Sequence, residues 1–219
     1  MNKSIKRLGI MGGTFDPIHY GHLVTAEAAR GEYELDHVLF LPSGISPHKD
    51  PKTISDAQHR YLMTVFATLT NPYFEVSRVE IDREGVTYTI DTLRLLKEQY
   101  GADTKLYFIT GADVIAEIMS WKDSSELIQL SEFIAATRPG FKFQPEYVDQ
   151  WFFQQNKHLH QLKVPAMAIS STDIRLRVKA GKSIRYLVPE SVEYYIRKNK
   201  LYIDKSDTQS EKNEAESVL

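Results

Sequence analysis

The 219-residue chain contains no cysteine. That excludes disulfides and thiolate metal sites and suits a reducing compartment. No apolar run approaches the roughly 20 residues that a membrane-spanning helix requires. The short stretch 1–7 before the first apolar run is expected to leave no room for a signal peptide, so the expected location is cytoplasmic. A basic excess is missing too: 27 Lys and Arg against 29 Asp and Glu give a formal net charge of −2. A broad nucleic-acid-binding field is thereby excluded, and any anion site must be local. No internal repeat and no convincing linker divides the chain. What is present, 42% hydrophobic and 26% charged residues, is the balance of a soluble globular domain with a full core.

Helix and strand signals alternate along the chain. Apolar runs at 8–11, 37–41, 105–109 and 132–136 read as buried strands, 74–77 alternates like a strand, and 161–164 is a further strand. Between them lie helical stretches at 23–29, 89–100 (with Gly101 as its stop), 145–157, 173–179 and 189–198. Another helix follows the loop 43–54: Ser55 and Gln58 have capping-box spacing, Leu62, Val65, Phe66 and Leu69 repeat at helical spacing, and Asn71-Pro72 closes it. Thr89 is a candidate N-cap, and Pro189 is suited to a first turn. This β-α alternation predicts an α/β fold, a doubly wound, mostly parallel sheet with helices on both faces. Ligands then bind beyond the carboxyl ends of the strands, where strand order reverses. Residues 1–203 read as one domain and 204–219 as a disordered polar tail.

The most informative stretch is 12–22, Gly-Gly-Thr-Phe-Asp-Pro-Ile-His-Tyr-Gly-His. A strand, a glycine turn and a helix make a phosphate site, because glycine admits close backbone approach and the helix N-terminus carries partial positive charge. His19 and His22, three residues apart, share one face of a helical first turn and can stabilise charge developing on a phosphate. Other readings fare worse. The spacing fails the dinucleotide fingerprint G-x-G-x-x-G, and no Gly-Lys-Ser/Thr closes a Walker A turn. Zinc lacks cysteine and an obvious third ligand. Gly181-Lys182-Ser183 echoes a Walker A ending but has Leu176 where a glycine is needed. His158 and His160 read as solvated, and Tyr194-Tyr195 as core and surface.

Residues 12–22 resemble the signature of the nucleotidyltransferase superfamily that carries an H-x-G-H motif, here His19-Tyr20-Gly21-His22. They look most like the bacterial nicotinate-nucleotide adenylyltransferases. A second run, Ile169-Ser170-Ser171-Thr172-Asp173-Ile174-Arg175, would by itself pass for an ordinary helix cap. It resembles the family's second signature, about 150 residues downstream and in the right order. Ser46-Pro47-His48-Lys49 resembles the family's Pro-His-Lys segment, although a loop lysine is usually just solvated. Thr87-Tyr88-Thr89-Ile90-Asp91-Thr92, Gly111-Ala112-Asp113, Trp121 and Arg138-Pro139-Gly140 match further family segments. Trp121, in the partly polar run 119–122, reads as an exposed ring platform.

The resemblance implies a Rossmann-like nucleotidyltransferase fold and adenylyl transfer from ATP to nicotinate mononucleotide, with Mg²⁺ accompanying ATP and no protein metal ligand. It assigns catalysis to His19, His22, Lys49 and Arg175. The nucleotide would be held by Gly12, Gly13, Thr14, Phe15, His19, His22, Ser170, Ser171, Thr172 and Arg175. Lys49, Tyr88, Thr89, Asp113, Trp121 and Arg138 would hold the acceptor, with Trp121 stacked on the pyridine ring. The expected partners are these small molecules, with neither nucleic acid nor membrane, and there is room for a homo-oligomer. Nicotinamide mononucleotide or phosphopantetheine as acceptor stays open, as does a regulator that binds nucleotide without turnover.

Overall fold

The computed structural model describes residues 5–47, 50–115, 117–137, 146–165 and 167–203. Six strands form one sheet: β1 (Arg7–Gly13), β2 (His37–Pro42), β3 (Phe74–Val76), β4 (Lys105–Gly111), β5 (Glu132–Thr137) and β6 (Leu159–Lys163). Their order is β3-β2-β1-β4-β5-β6, and every pairing is parallel. The chain therefore winds outward from β1 to β3, crosses back, and continues on the other side from β4. This is the doubly wound topology, with its reversal between β1 and β4.

Helices cover both faces, so the middle of the sheet is largely apolar and successive side chains serve different cores. On one face Met11, Val38, Phe40, Tyr107, Ile109 and Ile134 join α1 (Tyr20–Glu32), α2 (Ala57–Thr68), α7 (Ser171–Lys179) and α8 (Glu190–Lys198). On the other, Leu8, Ile10, Leu39, Leu41, Phe108 and Phe133 meet α3 (Thr89–Tyr100), α4 (Ala112–Ile115), α5 (Ser124–Leu130) and α6 (Glu146–Gln154). Gly9 belongs to the crowded first face: a Cβ there would lie 2.8 Å from Leu35 Cδ1 and 3.1 Å from Val38 Cγ2. Among the described residues no helix is long and apolar enough to cross a membrane.

Several local expectations shift by a residue or two. The cap of α2 is Asp56, whose carboxylate accepts from Gln58 N–H at 2.8 Å, and not Ser55. Tyr88 occupies the cap position of α3, with Thr89 its first helical residue, and Pro189 caps α8 from just outside it. Two short helices, α4 and α5, were not anticipated, because each is too brief to show a periodicity. The last strand begins at Leu159, where it pairs with Phe133. His160 is consequently part of the sheet and half-buried, its ring 5.2 Å from that of Tyr33, while His158 is exposed as expected. The 204–219 segment lies outside the described residues.

One ion-pair cluster ties β5 to β6. Glu132 sits 3.6 Å from His160 Nε2 and 3.1 Å from Lys157 Nζ. The imidazole first, and the ammonium with it, hold the carboxyl well below its ordinary 4.5, at about 2. The unfolded chain takes up this proton at the higher pH. The contribution to stability is therefore complete above about pH 4.5 and is lost as pH falls towards 2. Denaturation midpoints of Glu132→Gln measured across this range should fall less steeply with acid than those of the parent protein. Parallel acid limbs would remove Glu132 from the acid response.

Candidate active site

The loop after β1, residues 43–47 after β2 and residues 111–113 at the end of β4 leave the carboxyl ends of strands, and the run 169–175 follows β6. The first follows β1. Phe15 adopts a left-handed conformation (φ 50°) and the Asp16–Pro17 peptide is cis. The Phe15 side chain turns into the core against Phe40, ring centres 5.9 Å apart, and meets the His22 ring edge-on at 5.1 Å. Phe15 can thus offer a nucleotide its backbone but not its ring. Gly13 makes room for it, since a Cβ there would stand 3.1 Å from that ring.

His19 is the N-cap of α1, with extended backbone, and His22 is in the first turn. The pair therefore straddles the helix boundary instead of lying within the first turn. The expected juxtaposition is present nonetheless: the rings stack with centres 3.7 Å apart and planes inclined by 26°. His19 N–H donates to His22 Nδ1 at 3.2 Å. A neutral His22 accepting at Nδ1 carries its proton on Nε2 and presents that N–H as a donor. Gly21 explains the third motif position, because a Cβ there would approach the His19 ring to 2.9 Å.

The second motif docks directly onto the first. Ser170 caps α7 through Asp173 N–H at 3.1 Å. Ser171 Oγ donates to Pro17 O at 2.8 Å. Arg175 Nη1 donates to Asp16 O at 2.7 Å, and Nη2 to Thr172 Oγ1 at 3.3 Å. Two stretches more than 150 residues apart in sequence thus share one surface, combining hydroxyls, a guanidinium, two imidazoles and a helix N-terminus.

Across the cleft, the β2 loop meets the start of α3: Thr87 N–H donates to Ile45 O at 2.9 Å. Lys122 Nζ lies 4.5 Å from the centre of the Tyr88 ring and 3.4 Å from Asp91, so the Trp121 segment is latched to α3. Trp121 itself is half-buried, edge-on to Phe108 with ring centres 6.0 Å apart. Its expected exposure is reduced because the indole also packs on the second core. Asp113 is exposed at the start of α4. Lys49 and Arg138, together with His48, lie outside the described residues.

Sequence reasoning missed the group beneath the site. Arg60 on α2 is 2% exposed. Its guanidinium donates to Thr14 O at 2.8 Å, Ser43 O at 2.7 Å and Ser55 O at 3.0 Å. Burial lowers its pKa, opposed chiefly by the Asp16 charge, yet an arginine remains protonated. A signal was available: Arg60 shares the buried stripe of α2 with Met63, Thr64 and Ala67, where a charge needs partners. Glu80 forms a second buried group. Burial pushes its carboxyl up, and Thr92 Oγ1 donates to it at 2.9 Å. Asp16 also accepts from Ser55 N–H at 3.2 Å and Tyr202 O–H at 2.8 Å.

Comparison with known proteins agrees with this geometry. Residues 10–177 match the cytidylyltransferase-like family. A protein from Thermoanaerobacter sp. (strain X514), named a probable nicotinate-nucleotide adenylyltransferase, is 57% identical over 200 residues, 90% of this chain and 94% of its own. A protein of the same name from Moorella thermoacetica is 57% identical over 94% of this chain and 96% of its own. A solved structure of the Plasmodium falciparum nicotinic acid mononucleotide adenylyltransferase, complexed with NaAD, superposes with a TM-score of 0.73 at 23% identity. It covers 90% of this chain and 97% of its own, which establishes the shared fold.

Replacing Arg60 by Met strands the loop carbonyls it serves. Urea denaturation should show a loss of about 3 kcal/mol. A change below about 0.5 kcal/mol, the range of an inconsequential surface substitution, would show that these loops hold themselves.

Proposed function

The chain belongs to the cytidylyltransferase-like family and, within it, to the nicotinate-nucleotide adenylyltransferases, and we propose how its residues carry out that reaction. The enzyme transfers the adenylyl group of ATP to nicotinate mononucleotide, giving nicotinate adenine dinucleotide and pyrophosphate in NAD biosynthesis. The residues named for this task belong to a single nucleotidyltransferase domain, 1–203, and the proposed site of action is the cytoplasm.

The observation that carries the mechanism is the His19–His22 stack at the start of α1, joined through Asp16 and Pro17 to Ser171 and Arg175. An oxygen of the acceptor's 5′-phosphate attacks the α-phosphorus of ATP, and the bond to the bridging oxygen of the β-phosphate breaks. The acceptor phosphate is already a competent nucleophile, so no covalent enzyme intermediate and no strong general base are needed. The protein's work is alignment and stabilisation of charge on the equatorial oxygens. His22, whose Nδ1 accepts the His19 N–H, contributes its Nε2–H as a donor, and His19 stands against it. The partial positive charge of the α1 N-terminus adds to both.

Gly12 and Gly13 admit the nucleotide to the backbone, with the main chain at Phe15. Thr14, Ser170, Ser171, Thr172 and Arg175 hold the triphosphate. This hydroxyl- and guanidinium-lined cradle would suit a triphosphate that brings its own Mg²⁺, which would neutralise charge on the β- and γ-phosphates. On the acceptor side Lys49 supports the reacting phosphates and Arg138 meets the mononucleotide phosphate. Trp121 stacks on the pyridine ring, Thr89, with Tyr88 nearby, receives its carboxylate, and Asp113 belongs to the same acceptor side. The Lys122 latch onto Tyr88 and Asp91 keeps these two walls in register.

Pyrophosphate release with Mg-ATP and equal concentrations of nicotinate mononucleotide, nicotinamide mononucleotide or phosphopantetheine tests the acceptor. Strong preference for the first is expected, and preference for another would overturn the acceptor wall described here. His22→Ala should lower kcat by about 10²–10³ with a modest change in ATP affinity; an unchanged kcat would remove this imidazole from the reaction. Trp121→Ala should raise KM for the mononucleotide far more than KM for ATP. Equal effects on the two substrates would exclude stacking.

A further inference from the structure

Tyr202 lies beyond α8, remote in sequence from both motifs, yet its hydroxyl donates to Asp16 Oδ1 at 2.8 Å across 186 residues. The chain is steered there by a tight reversal after α8. Lys200 and Tyr202 adopt left-handed conformations (φ 51° and 67°), and Leu201 N–H reaches back to Ile196 O at 3.0 Å. The phenol passes beside Met63, its oxygen 4.0 Å from the sulfur. Burial, and then the neighbouring Asp16 charge, push the hydroxyl pKa far above the ordinary tyrosine range. It therefore remains a protonated donor.

Asp16 is only 4% exposed, and all of its oxygens are engaged. Oδ1 takes the Tyr202 hydroxyl, Oδ2 takes Ser55 N–H at 3.2 Å, and the main-chain oxygen takes Arg175 Nη1 at 2.7 Å. The adjoining Pro17 carbonyl takes Ser171 Oγ at 2.8 Å. Whatever sets the height and tilt of Asp16 thus sets the position of the guanidinium and of the hydroxyl beside it, and the start of the segment that leads to His19. Ser55 restrains one carboxylate oxygen and Tyr202 the other, so the phenol removes the last freedom of rotation about the side chain.

We infer that Tyr202 is a positioning residue for the triphosphate clamp, acting through the Asp16 carboxylate on Arg175 and Ser171. The inference rests on the assignment of Arg175 and Ser171 to ATP. It makes a distinction that a purely structural hydroxyl would not: the ATP side of the cleft depends on Tyr202 through Asp16, while the acceptor wall is held by the Lys122 contacts with Tyr88 and Asp91.

The test compares Tyr202→Phe with Tyr195→Phe. The latter removes a hydroxyl from α8 that contacts His59 Nδ1 at 2.9 Å, on the outer side of the same helix packing. Affinity for the α,β-methylene analogue of ATP is measured by calorimetry with Mg²⁺, steady-state constants for both substrates by pyrophosphate release, and melting temperature for each variant. Tyr202→Phe should weaken the analogue about tenfold, the loss of a hydrogen bond to a charged group. It should also lower kcat by a similar factor, with KM for nicotinate mononucleotide changed by less than about twofold. Tyr195→Phe should lower the melting temperature without this split. Unchanged analogue affinity and kcat in Tyr202→Phe would overturn the inference. So would losses that fall equally on both substrates and follow the melting temperature as they do in Tyr195→Phe. Should the parent protein reject nicotinate mononucleotide while Tyr202→Phe still weakens the analogue, the acceptor assignment fails and the positioning role stands.

Discussion

A phosphate-binding loop must turn its N–H groups and its charged side chains towards the ligand, which points carbonyls back into the protein. Buried carbonyls without donors are costly, and neither the sheet nor the helices can supply partners to an irregular loop. In this protein side chains supply them. Arg60 serves Thr14 and Ser43 from below, Arg175 serves Asp16, and Ser171 serves Pro17. Everything the cleft can do follows from this inward-facing set of bonds, because it holds the outward-facing groups still.

The cost of that solution is a buried cation. Arg60 is held by the carbonyl oxygens of the loops, with Asp16 and Glu80 near enough to be felt as charges. A guanidinium suits the position because its planar fork can address several acceptors at once, which a lysine cannot. The same charge lies beneath the loop proposed to receive a polyanion, so the element that satisfies the backbone would also favour that ligand.

The topology decides which loops can be combined. Strand order reverses between β1 and β4, so the loop after β1 opens into a crevice flanked by β2 and β4. The β2 loop and the start of α3 form one wall with the Trp121 segment, while the segment after β6 returns Ser170–Arg175 to the β1 loop. The two histidines lie at the junction. Their stacking needs a glycine between them, for a Cβ at position 21 would stand 2.9 Å from the His19 ring, and this is a local steric fact that the motif spells out.

The strands, most helices and the H-x-G-H stretch were legible in the sequence because they depend on local periodicity, glycine placement and turn chemistry. The alternation of apolar runs with helical stretches determined a parallel doubly wound sheet, and the spacing of His19 and His22 determined that two imidazoles meet. Short elements such as α4 and α5 were not legible, since four to seven residues carry too little pattern. Nor was the location of His160, whose polar neighbours in sequence conceal pairing with β5. Only the tertiary structure decided that Ser171 and Arg175 bind the β1 loop itself, that Phe15 turns inward, and that Arg60 on α2 and Tyr202 beyond α8 reach under the site. Those contacts join residues up to 186 positions apart. A sequence shows which groups a chain possesses, but the pairing of buried donors with buried acceptors is set by packing, and packing exists only once the sheet has closed around its loops.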